Sequence, residues 1–134
     1  MTSGRIMVVD DDREIRESFI EALEEHGYRT IGAANGREAL EVLATPGNRP
    51  CLILLDLMMP TMDGKTFREA QLRDSALAAI PVVVMSAYRD VTSTASGVEA
   101  AAHIRKPVKL AELLRVARQH CGPGEGSESQ RPRT

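Results

Sequence analysis

Four short, uninterrupted apolar runs, at 6–9, 51–55, 81–85 and, more weakly, 101–104, constrain this chain most. A strand with one wet face alternates apolar and polar residues. A run without alternation is apolar on both faces, as in a parallel sheet covered by helices on either side. A weaker extended segment at 28–33 lies between the first two runs. Helical periodicity fills the gaps. Ile15, Phe19, Ala22 and Leu23 fall at i, i+4, i+7 and i+8, one face of a helix. Leu110, Leu113, Leu114 and Ala117 form a similar face near the end of the chain. Asn35 with Glu38 predicts an N-cap and a helix through Leu43. Gly27 and Gly122 predict the ends of the first and last helices. Pro46, Gly47, Asn48 and Pro50 mark a loop. Residues 90–97, rich in Thr and Ser, are the weakest predicted helix. Strand and helix thus alternate five times. That predicts an α/β domain, with a five-stranded parallel sheet doubly wound by five helices.

The 134 residues suffice for about one domain, and 43% apolar with 27% charged content is ordinary for a folded chain. We divide it into a domain at 1–121 and a flexible tail at 122–134, which holds no large apolar side chain. Seventeen basic and nineteen acidic residues give 17 − 19 = −2. Such a balance gives no global pull toward nucleic acid or an anionic membrane. Trp is absent, so base-stacking platforms are not expected either. Cys51 and Cys121 lie 70 positions apart, which is the spacing of neither a disulfide framework nor a metal knuckle. We read them as the reduced thiols of a cytosolic protein. No secretory apolar segment precedes the first run, and no run is long enough to cross a membrane. The expected location is the cytoplasm.

The chemistry falls where the predicted strands end. The first is followed by Asp10, Asp11 and Asp12, the third by Asp56, the fourth by Ser86 and the fifth by Arg105, Lys106 and Pro107. In an open parallel sheet, ligands bind outside the carboxyl ends of the strands, where strand order reverses. Several carboxylates in one pocket raise one another's pKa or call for a cation. With oxygen ligands alone that cation is hard, and Mg2+ is the first choice. Lys106 adds a mobile positive charge suited to a phosphoryl group, and the Ser86 hydroxyl can donate to one of its oxygens. A carboxylate can itself be the nucleophile, forming an acyl phosphate.

Taken together, Val8-Val9-Asp10-Asp11-Asp12, Leu54-Leu55-Asp56-Leu57-Met58-Met59-Pro60, Met62-Asp63-Gly64, Met85-Ser86-Ala87 and Lys106-Pro107 resemble the receiver domain of two-component response regulators. Their order and spacing fit across residues 5 to 120. The resemblance implies a flavodoxin-like sheet of order 2-1-3-4-5. It implies that Asp56 is the phosphoacceptor and that Asp10 and Asp11 are the metal-binding pair, with Asp11 the direct ligand. Asp56 and the backbone carbonyl of Met58 would complete the protein ligands for Mg2+, with Mn2+ or Ca2+ as substitutes. Ser86 becomes the switch hydroxyl, Lys106 the phosphate-binding lysine, and the Lys106–Pro107 bond one that is often cis. Asp12 is read as a helix cap, and a one-residue shift of the motif would instead bring it into the metal-binding pair.

Two positions depart from the family. His103 stands where an aromatic switch residue is usual, and imidazole titrates near neutrality. Tyr88 and Met58 flank the phosphoryl site and could slow hydrolysis. The implied partners are a sensor histidine kinase or a histidine phosphotransfer protein upstream and a protein target downstream. The target would bind the face made by the 90–97 helix, the fifth strand and the last helix. A phosphorylation-dependent dimer through that face is a further expectation. No direct nucleic-acid contact or membrane insertion is implied, and no small-molecule turnover beyond the module's own phosphorylation and dephosphorylation. Two alternatives are a receiver cut from a larger regulator or hybrid kinase, and a degenerate receiver acting as a scaffold. A phosphohydrolase would need an acid where Met58 stands. A flavin carrier would not place three aspartates at its phosphate loop.

Overall fold

A computed structural model describes residues 4–45, 47–87 and 100–124. In chain order the elements are β1 (Arg5–Val9), α1 (Arg13–Glu25), β2 (Arg29–Ala33), α2 (Gly36–Ala44), β3 (Leu52–Asp56), α3 (Gly64–Arg73), β4 (Val82–Ser86), β5 (Ala102–Arg105) and α4 (Leu110–Cys121). The strands form one parallel sheet of order β2-β1-β3-β4-β5. Four helices lie among the described residues; the helix expected over 90–97, and Tyr88, fall outside them.

The apolar runs are buried on both faces because successive side chains of a strand point to opposite sides. Met7, Val9, Ile53, Leu55, Val82 and Val84 join Ala39, Leu43 and Phe67 in one core under α2 and α3. Ile6, Val8, Leu52, Leu54, Val83 and Met85 join Leu23, Leu113, Val116 and Ala117 in the other, under α1 and α4. In α4 the expected face is displaced. Leu110 is 51% exposed and Val116 is buried instead. Leu110 opens the helix, whereas Val116 lies midway along it, where α4 crosses the sheet.

Side-chain caps start α1 and α2 as expected, and α3 as well, whereas α4 begins after Lys109 without one. Asp12 accepts from the Ile15 N–H, Asn35 from Glu38 N–H and Asp63 from Thr66 N–H. Each such cap stabilises by about 1 kcal/mol. Glu38 reaches back to the Ala34 N–H, one residue before the cap. Gly27 (φ 89°) and Gly122 (φ 74°) take left-handed conformations just beyond α1 and α4.

The cysteines correct the sequence reading. Cys51 and Cys121 are bonded as a disulfide across 70 positions, with Cα atoms 5.5 Å apart. The topology brings them together. Cys51 enters β3 at the amino edge of the sheet, and α4, crossing over from the carboxyl edge, returns its last residue there. The thiol-based argument for a reducing compartment therefore falls away. Among the described residues no helix is long and apolar enough to cross a membrane.

Thr61, between β3 and α3, sits at φ 68°. A β-branched residue in the left-handed region costs about 1–2 kcal/mol. Asparagine tolerates that region without adding the chain entropy of glycine. Thr61→Asn is expected to stabilise the protein by about 0.5–1 kcal/mol. An unchanged or lowered urea midpoint would count against strain at this residue.

Candidate functional site

The strand order reverses between β1 and β3, and the carboxyl ends of these neighbours carry Asp10 and Asp56. Asp10 is fully buried and held from several directions. Its N–H donates to the Ala33 carbonyl (3.1 Å), and its carbonyl accepts from Arg16 Nη1 (2.7 Å). Its carboxylate accepts from the Asp12 N–H (2.9 Å) and from Lys106 Nζ (3.1 Å). Asp56, 5% exposed, receives the same ammonium at 3.1 Å. Asp11 is exposed, yet it can bring a carboxylate oxygen within 4.8 Å of both others.

Lys106 therefore bridges two buried carboxylates from the start of the β5–α4 connection. Its backbone N–H donates to the Ser86 carbonyl (2.8 Å), which ties that connection to the end of β4. The Lys106–Pro107 bond is cis. Ser86 is buried, and its Oγ has no hydrogen-bond partner among the described residues. An unpartnered buried hydroxyl is costly unless a ligand group completes it.

Burial pushes the Asp56 carboxyl up to about 7, the Asp10 charge adds to the rise, and Lys106 only partly offsets them. For Lys106, burial alone would lower the pKa. The charges of Asp56 and Asp10 outweigh that and raise it. The charge count explains the tension. Three carboxylates against one ammonium leave −3 + 1 = −2 when all are ionised. A divalent cation on oxygen ligands would balance that charge, so these residues fit Mg2+.

Asp10, Asp11, Asp56 and Lys106 are thus brought together, with Ser86 joined to the Lys106 backbone. Met58 lies two residues past Asp56 with an exposed side chain. His103 is exposed on β5, opposite Val84 in register. The sequence reading passed over Arg16, which braces the Asp10 carbonyl while its stem packs over Gly32. Nothing in periodicity separates that arginine from the solvated residues of α1. It also passed over Gln71, fully buried, whose Nε2 donates to the carbonyls of Leu77 and Ile80 and so closes the loop before β4.

The doubly wound sheet gathers an acidic pocket and a bridging lysine at its switch point, an arrangement suited to phosphoryl chemistry and shared with signalling receiver domains. The chain belongs to the response regulator receiver domain family, whose pattern matches residues 6–118. Response regulator MprA of Mycobacterium sp. (strain KMS) is 39% identical over 130 residues, covering 93% of this chain and 55% of that protein. MprA of Mycobacterium tuberculosis (strain ATCC 25177 / H37Ra) is 38% identical over 132 residues, covering 95% of this chain and 56% of that protein. The chain thus spans about half the length of these curated relatives. Among solved structures, the receiver domain of a signal transduction histidine kinase from Syntrophus aciditrophicus superposes with a TM-score of 0.80. It is 31% identical and covers 98% of this chain and 96% of its own. A CheY-like receiver domain protein from Methanospirillum hungatei JF-1 gives a TM-score of 0.72 at 27% identity, covering 95% and 98%. Receiver domains generally bind Mg2+, and the acidic cluster is compatible with it.

Proposed function

We infer that this protein accepts a phosphoryl group on Asp56 from a phosphohistidine donor, with Mg2+ held at the acidic pocket. The observation that carries this reading is the Lys106 ammonium, 3.1 Å from both Asp10 and Asp56, in a pocket with an excess of carboxylates. Asp11, Asp56 and the Met58 carbonyl would hold the metal, with Asp10 supporting it. A cation bound there would supply positive charge for the phosphoryl oxygens and favour the ionised form of Asp56. The Asp56 carboxylate attacks phosphorus, and the bond to the donor's imidazole nitrogen breaks. Lys106 then exchanges its carboxylate contact for a phosphoryl oxygen, and the Ser86 hydroxyl donates to another.

That rearrangement is the switch. Ser86 pairs with Arg105 across β4 and β5, and the same ladder pairs Val84 with His103. A change at Ser86 therefore reaches the strand that carries His103. The donor's surface is supported by an apolar cleft beside Lys106, lined by Ile15, Phe19, Pro107 and Val108. A cytoplasmic histidine kinase or phosphotransfer protein would cover it, and the partner downstream would be a protein target.

Incubation with acetyl phosphate and Mg2+ is expected to add one phosphoryl group to the intact mass. Asp56→Asn should add none, and neither should wild type in EDTA. Equal gain by Asp56→Asn would remove Asp56 from the mechanism. No gain by a folded, Mg2+-bound wild type would favour a scaffold.

A further inference from the structure

The cysteine pair lies at the opposite end of the sheet from the acidic pocket. Cys51 precedes β3 and Asp56 ends it, so about 16 Å of strand separates the two sites. Cys51 is buried, and its N–H donates to the Arg5 carbonyl at 2.9 Å. Cys121, the last residue of α4, is partly exposed and lines a small surface cleft with Gly27, Tyr28 and Arg29. The disulfide is the first of three fastenings. The Tyr28 hydroxyl donates to the Gly122 carbonyl at 2.7 Å. Gly124 is buried and lies so close to the His26 carbonyl and Gly27 that any Cβ there would collide. The chain leaving α4 is thus held at 121 to the residue before β3 and at 122 and 124 to the α1–β2 turn, and the first of these holds is a bond that redox chemistry can open.

We propose that Cys51 and Cys121 form a reversible thiol–disulfide site, open to low-molecular-weight disulfides, whose closure seats the end of α4 and residues 122–124 on the α1–β2 turn. Closing starts at Cys121, the partly exposed member. Its thiolate attacks one sulfur of a disulfide such as oxidised glutathione and expels one thiolate, leaving a mixed disulfide. The Cys51 thiolate then attacks the Cys121 sulfur and expels the second. The two protons lost by the protein end on the two released thiols, and two electrons pass to the small disulfide. Arg29 on the cleft attracts the carboxylates of such a peptide. Opening runs the same steps backward with a thiol reductant. Leu113, Val116 and Ala117 stay in the core, so opening frees the last turn and not the whole helix.

The test uses the full chain, equilibrated in graded mixtures of reduced and oxidised glutathione, trapped with an alkylating agent and weighed intact. Amide exchange is measured on both forms. The expected result is reversible loss of two hydrogens without a retained glutathione. Exchange over 118–124 should be roughly tenfold faster in the open form, with β1 and β3 unchanged. Cys121→Ser should show the fast exchange even under oxidising conditions. If that variant does not fold, wild type reduced with dithiothreitol supplies the open form. Thiols that persist in oxidised glutathione, a bond that dithiothreitol does not open in the native protein, or equal exchange in both forms would each overturn the proposal.

Discussion

Asp56→Asn is expected to make the metal-free protein more stable at pH 8 by about 2–4 kcal/mol, although it removes an ion-pair partner. The sign follows from the raised pKa. With the ordinary value of 3.8 in the unfolded chain and about 7 in the folded one, the native state binds the extra proton between these limits. Stability therefore falls as pH rises through that window. Below about pH 4 the carboxyl is neutral in both states, and wild type and variant should converge. Above about pH 7 the full penalty is present and the difference stops growing. Lys106→Met should act in the opposite direction. It leaves Asp10 and Asp56 buried without the ammonium that lies 3.1 Å from each. Breaking a buried pair from one side costs about 3–5 kcal/mol, and proton uptake by Asp56 trims this at lower pH. Urea unfolding in EDTA at pH 4, 6 and 8 checks both variants. A destabilised Asp56→Asn at pH 8 would mean that the Lys106 contact outweighs burial.

The second large effect is expected from a single methyl group. In Gly64→Ala the added Cβ would lie 2.5 Å from the Asp56 carbonyl oxygen and 2.9 Å from the Leu57 Cα. Both are backbone atoms and cannot swing aside. The Gly64 N–H donates to the Leu57 carbonyl at 2.9 Å, so the first turn of α3 is seated against the end of β3. Relief requires moving either the helix or the strand end that carries Asp56. Overpacking of this kind costs about 3 kcal/mol. A displacement of the reacting group by about 1 Å can slow the chemistry roughly a hundredfold. Unfolding midpoints and the initial rate of phosphorylation by acetyl phosphate measure the two consequences. A midpoint and rate equal to wild type would show that the loop yields freely. By contrast, among the described residues nothing lies within 4 Å of a Cβ built on Gly47, and its substitution would meet the strain of φ 90°.

Periodicity and end chemistry made much of this molecule legible in one dimension. Uninterrupted apolar runs at β1, β3 and β4 require two covered faces, and that requirement is local to each strand. Caps such as Asp12, Asn35 and Asp63 act within four residues, so they too are written in the chain. The polar residues at strand ends were readable for the same reason. A parallel sheet puts all carboxyl ends on one edge, so a linear list of strand ends is a list of neighbours. Contacts between elements were not readable. The helix face of α4 shifted because where a helix crosses a sheet depends on the connection before it, and Leu110 was left outside. Arg16 and Gln71 matter through carbonyls contributed by other segments, which no local pattern marks. The cysteines show the division most clearly. Their spacing of 70 positions argued for separate thiols, and only the return of α4 to the amino edge of β3 brought their Cα atoms within 5.5 Å. By itself the sequence determined the elements, their order and the identity of the charged groups, because those follow from short-range sterics and from which side chains water will accept. The tertiary structure decided which of those groups share a pocket, how far burial raises Asp56, and which sulfur meets which, because these depend on distances through space between residues far apart in the chain.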